Sequence, residues 1–225
     1  MNSHITLIKY NLINMTIPFS KICSFIKTTC HRYNIDESHG MKHALDVYKY
    51  SRNLVSSECE NVPHLLQQKS VIYTSALLHD TCDKKYMDES EGILNIHLFL
   101  NSTQCYSKVE TDIILKIIQT MSYSKVKVNG FPTLGIYQKA YHIVREADLL
   151  TAYDFDRGLL YTMNNYKIEY KIAFALANDL YQQRMAKHIE HGLITTKYGM
   201  EEGKRLLIEN QEHIASIKDM LEHDV

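Results

Sequence analysis

Tryptophan is absent from this 225-residue sequence, and glycine and proline are scarce, at eight and three. So few turn-formers exclude the many tight hairpins of an all-β sandwich or barrel and leave long helices as the expectation. The five cysteines (Cys23, Cys30, Cys59, Cys82 and Cys105) are odd in number, scattered and never spaced CxxC. That pattern excludes a disulfide framework or a zinc ribbon and points to a reducing compartment, the cytoplasm. Neither sign of charge dominates, because 25 Lys and Arg stand against 26 Asp and Glu. There is therefore no global basic field to hold a nucleic-acid polymer. No apolar run approaches the length of a membrane span, so no membrane is expected as a partner. The opening MNSHITLIKYNLINM lacks the unbroken apolar core and the small-residue cleavage site of a signal peptide.

What is present is helical periodicity. The length suits one domain. We read residues 1–16 as an N-terminal extension and 17–225 as a single all-α bundle. Apolar positions recur at three and four from about residue 17 to 33, again after Ser38, and across QQKSVIYTSALLHDTCD, which reads as the central helix. Further helices are expected at about 91–104, 107–121 and 137–153. Another follows a DFDRG break, and two or three amphipathic helices make up the tail. YSKVKVNGFPTLG, with its Gly and Pro, reads as a loop with a small strand-like turn.

Inside these apolar segments stand four separated residues: His43, the doublet His79-Asp80, and Asp148. A charged Asp in an apolar helix is costly unless something pairs with it. Two imidazoles and two carboxylates form a ligand set for a hard or borderline divalent cation. One Mn²⁺ or Mg²⁺ ion is expected, with Fe, Co, Ni or Zn as other candidates. Facing helices of a bundle are a usual place for such a site.

The segments SHGMKH, ALLHDTCDKKY, TMSYSK and VREADLL, in that order, resemble the HD superfamily of metal-dependent phosphohydrolases and within it the small stand-alone HD hydrolases. The tail, RMAKHI and TKYGMEEGKRL, is similar to the same branch, so the resemblance covers roughly residues 17–220. It implies an HD-type helical bundle and metal ligands His43, His79, Asp80 and Asp148. It further implies hydrolysis of a phosphoester or phosphoanhydride in a nucleotide or related phosphorylated small molecule. Two positions depart from the family pattern. Met121 stands where that branch usually carries a further His, which argues for one ion rather than two. Asp46 stands where relatives commonly carry Arg.

Asp83, four residues after His79, is the candidate for orienting the attacking water or protonating the leaving group. His39, four residues before His43, joins it as a candidate catalytic residue. Lys84, Lys85, Lys125 and Arg145, together with Arg157, are candidate phosphate contacts, Lys85 and Lys125 foremost. Cys82 reads as a small hydrophobe. His188, His191, His213 and His223 match no convergent ligand spacing and read as surface residues. The expected activity is (d)NTP or pyrophosphate-type hydrolysis. A nucleoside 5′-monophosphatase or a cyclic-nucleotide phosphodiesterase comes next. The reading from a different class is a catalytically silent, metal-containing nucleotide sensor.

Overall fold

The polar breaks of the sequence become helix boundaries in the computed structural model, which describes residues 17–223. Among those residues the elements are α1 (Phe19–Tyr33), α2 (Met41–Glu58), α3 (Lys69–Leu78), α4 (Glu89–Thr103), α5 (Lys108–Thr120), α6 (Tyr123–Asn129), α7 (Gln138–Thr151), α8 (Phe155–Tyr166), α9 (Tyr170–Gln183) and α10 (Lys197–His223), with no strand. The protein is all-α. The expected N-terminal extension, residues 1–16, lies outside the described residues.

Local chemistry sets the helix ends. Asp88 accepts the Glu91 amide at the start of α4, and Asp154 accepts the Arg157 amide at α8. Ser107 and Glu110 cap α5 reciprocally. Each occupies donors that a helix start leaves free. Helices α1, α4 and α8 stop at Asn34, Gln104 and Lys167, all in the left-handed region. Two expectations are corrected. The alternating stretch YSKVKV makes no strand, because Tyr123–Asn129 close into α6 and Gly130, at φ 69°, ends it. DFDRG is not a break but the cap and first turn of α8.

Helix α3 is apolar nearly all round, and eight of its ten residues are buried, which places it in the middle of the bundle. Helices α2, α5, α7 and α1 pack around it, and α2 also lies along α7. Ile72, Leu77, Leu78, Val47, Leu54, Ile143 and Val144 are sealed between them. Each such side chain contributes about 1.5–3 kcal/mol. Helices α8 and α9 pair with each other, and α10 closes over α2 and α7. No helix among the described residues is long and apolar enough to cross a membrane.

One close approach positions the chain that follows α3. A Cβ added at Gly92 in α4 would meet Cys82 Cβ at 2.6 Å and Cα at 2.7 Å. Only a hydrogen at that position lets α4 rest against the turn carrying His79 to Asp83.

Candidate metal centre

The α2–α3–α7 trio brings three helix ends to one point. His43 lies in the first turn of α2, His79 caps the C-terminus of α3, Asp80 follows it, and Asp148 sits in the last turn of α7. His43 Nε2 lies 3.0 Å from His79 Nε2. Asp80 Oδ2 is 3.1 Å and 3.3 Å from the two Nε2 atoms, and Asp148 Oδ1 is 3.5 Å and 3.6 Å from them. The four residues anticipated from the sequence do converge. His43, His79 and Asp148 offer ligand atoms within 4.8 Å of one another, a group that could hold a metal ion.

The donor set fits a cation. His79 Nδ1 lies 2.9 Å from the Ala76 carbonyl, which can only accept. That nitrogen therefore carries a proton, so that the ring, once neutral, turns its Nε2 lone pair into the cluster. With bonds of about 2.1 Å, neighbouring ligands lie about 3.0 Å apart in an octahedron and about 3.4 Å apart in a tetrahedron. The observed separations run from the octahedral value, 3.0 Å, to 3.6 Å, slightly past the tetrahedral one. In the absence of a metal, a proton must take its place. Burial works against the charged carboxylates, but the adjoining imidazoles hold Asp80 and Asp148 well below the usual carboxylate range. Burial likewise works against a charged His79, yet Asp80 and Asp148 raise it well above an ordinary imidazole.

The cluster floors a cavity of about 440 Å³. Asp83 lines it, although not along a continuing helix: residues 79–82 form a turn. The Asp83 amide donates to the Asp80 carbonyl, and its Oδ1 accepts the Lys85 amide at 2.9 Å. His39 reaches the same cavity through a defined network. Ser38 Oγ and Tyr86 OH both donate to Asp36, Tyr86 at 2.8 Å, while both oxygens lie against His39 Nδ1, at 2.7 Å and 3.1 Å. His39 Nδ1 must then carry the proton, and Nε2 accepts from Lys85 Nζ at 3.0 Å. Burial lowers the His39 imidazole to about 4, so it is neutral at pH 7.

The predicted cations divide. Lys85 lies over the Tyr161 ring and pairs with Asp83 at 3.3 Å. Lys125 pairs with Glu89 and donates to the Gln119 carbonyl. Lys84 is exposed at the rim. Arg157 faces the cavity and donates to the Ser38 carbonyl at 2.9 Å. Arg145 is withdrawn: it is 4% exposed, donates to the Leu193 carbonyl at 2.9 Å, and lies over the Phe131 ring. One turn before Asp148 on α7, it does not line the cavity that Asp148 enters.

Of the two departures, Met121 is buried in the cavity wall. Asp46 points outward to Lys42 at 2.8 Å, and His43 Nδ1 has no hydrogen-bond partner among the described residues. Cys82 is buried, which pushes its thiol up to about 12.

Sequence reasoning missed Arg184 and misplaced His188. His188 is 1% exposed and lines the cavity, because α9 ends at Gln183 and the chain turns inward through a 3₁₀ turn, Met185–Lys187. The only hint was that RMAKHI belongs to a motif-bearing tail. Helical periodicity says nothing about a residue placed by a turn.

No family model matches the sequence, and no curated protein matches it. Among solved structures the chain is similar to a Lactobacillus plantarum protein, a structural genomics target whose crystal structure is known. That similarity has a TM-score of 0.66 at 18% identity and covers 91% of this chain and 97% of that one. At such identity the likeness shows the fold alone.

Proposed function

We propose that this protein is a metal-dependent phosphohydrolase acting on a nucleotide or a related phosphorylated small molecule, of the HD type that its motifs resemble. The observation carrying this reading is the meeting of His43, His79, Asp80 and Asp148 around a cation-sized gap beneath a cavity edged with Lys and Arg. These four residues would hold one divalent ion. Mn²⁺ suits a mixed set of two imidazoles and two carboxylates, with Mg²⁺ next. Bound there, such an ion supplies Lewis-acid neutralisation of phosphoryl charge and makes water more acidic.

The remaining roles fall to the chain's own groups. Asp83 is fixed at the cavity wall by the Lys85 amide, where its carboxylate can take a proton from water or deliver one to a leaving oxygen. His39, neutral and tethered to Asp36 through Ser38 and Tyr86, holds the Lys85 ammonium in place. Lys85 keeps one N–H for a substrate oxygen after serving His39 and Asp83. Arg157, anchored on Ser38, is the second donor on that side. The presence of Asp83 and His39 in the same cavity favours turnover over a silent sensor.

Metal analysis of the purified protein, joined to a phosphate-release screen of nucleoside mono-, di- and triphosphates with Mn²⁺, tests the reading. About one ion per chain and release from at least one substrate are expected. Asp83→Asn should then lower turnover about 100-fold or more at unchanged metal content. Bound metal without turnover on any phosphorylated substrate would leave the sensor, and no bound metal would end both.

A further inference from the structure

The cavity's cations are partnered to different degrees, and Arg157 is held on the Ser38 carbonyl although its buried Nε has no partner. On the wall formed by the turn after α3 and by α6, Lys85 and Lys125 are each matched with an acid, Asp83 and Glu89. On the wall formed by the end of α9, Arg184 has no carboxylate within salt-bridge reach among the described residues, and its buried Nε has no hydrogen-bond partner. Its guanidinium instead lies 4.1 Å above the Tyr123 ring, which fixes its plane while leaving its edge free. Next to it His188 is 1% exposed, yet neither ring nitrogen has a partner. A buried imidazole with both nitrogens unsatisfied, beside an unpaired guanidinium, is costly unless a ligand completes it.

We propose that Arg184 and His188 form a second anion subsite in this cavity, taking the distal phosphate of a di- or triphosphate chain whose first phosphate sits at the His/Asp cluster. The substrate class is then a polyphosphate ester rather than a monophosphate. A planar fork and an imidazole N–H match the oxygens of a terminal phosphate. Tyr123 beneath the fork sets its angle. The position of the first phosphate rests on the phosphohydrolase reading; the Arg184–His188 subsite does not require turnover.

Calorimetric titration of the metal-free, full-length protein with inorganic tripolyphosphate and, separately, orthophosphate tests this without activity. Wild type should bind tripolyphosphate, and bind it more tightly than orthophosphate. Arg184→Gln and His188→Gln should each weaken tripolyphosphate binding about tenfold or more. Thermal melts establish that each variant is folded. If Arg184→Gln is not, Arg184→Lys, which keeps the charge and loses the fork, should still weaken binding, and His188→Gln decides independently. Folded variants that bind tripolyphosphate like wild type overturn the subsite, as does wild type that binds the two probes equally or binds neither. Mn²⁺ titration of the same samples separates the two proposals. Wild type that takes up no Mn²⁺ but loses tripolyphosphate on Arg184→Gln would sink the phosphohydrolase reading and keep the subsite.

Discussion

Two carboxylates stand two residues apart on α7, and the fold surrounds them in opposite ways. Glu146 is fully buried and saturated: the amides and hydroxyls of Thr195 and Thr196 all donate to it, at 2.7–3.2 Å. Gly199 makes room for this latch, since a Cβ there would lie 2.9 Å from Glu146 Oε2. Asp148 instead points at two imidazole Nε2 atoms, and no such ring of amides and hydroxyls closes around it. The first carboxylate fastens the start of α10 to the core and is complete within the chain. The second waits for a positive charge from outside. What distinguishes a structural acid from a ligand on one helix is thus the donor inventory around it, together with the opening to the cavity that Asp148 has and Glu146 lacks.

The sharpest way to break this contrast is to neutralise each acid in turn. Asp148→Asn should weaken Mn²⁺ binding more than about 100-fold, beyond what loss of a group supporting a ligand typically costs. It should lower the melting temperature of the metal-free protein by less than Glu146→Ala does, because only its pairing with the His43 and His79 imidazoles is lost. Calorimetry and scanning fluorimetry with and without Mn²⁺ read both quantities. Glu146→Ala should do the reverse, costing roughly 3–5 kcal/mol in metal-free urea unfolding because the buried Thr196 amide and hydroxyl lose their acceptor and the Thr195 pair its anchor. If the two variants destabilise the metal-free protein equally, Asp148 is as structural as Glu146 and the distinction fails. A smaller effect is expected from Gly92→Ala. Its methyl must displace the Cys82 turn, at a cost of about 1–3 kcal/mol, and Mn²⁺ affinity should fall with it because His79 and Asp80 ride on that turn. Unchanged affinity would mean that the turn holds its ligands without α4.

How much of this contrast was legible beforehand follows from its physics. Asp148 and its partners could be picked out because His43, His79, Asp80 and Asp148 are chemistry-bearing residues in apolar surroundings, with motifs around them. The all-α class followed from composition and periodicity. Glu146 carried no signal at all: one acid beside Arg145 reads as a solvated face, and its Thr195–Thr196 partners are 49 and 50 positions away. Arg145 misled for the same reason, since its charge suggested a phosphate while Leu193 and Phe131 claim it. His188 was misplaced because a 3₁₀ turn, not a helix face, carries it inward. YSKVKV alternates like a strand, but it has no neighbouring strand with which to form a ladder, and a seven-residue helix satisfies its backbone instead.

The subtlest expected effect at the His/Asp cluster is in pH. Metal-free His79 is raised by its carboxylates, so its contribution to stability is full below about pH 6.5 and is lost as pH climbs through its higher folded value. Asp80 and Asp148 are lowered, so theirs is full above about pH 4 and is lost as pH falls through their depressed values. The metal-free cluster is therefore held together near neutrality by one imidazole proton, and a cation must expel it. Mn²⁺ binding at pH 7 should release about one proton, and affinity should rise by up to about tenfold per pH unit until His79 titrates. Calorimetry in buffers of different ionisation enthalpy measures the release directly. Binding that releases no proton, with an affinity flat between pH 6 and 8, would mean that the imidazoles already face one another uncharged. In that case something other than His79 would have to balance Asp80 and Asp148 in the metal-free protein.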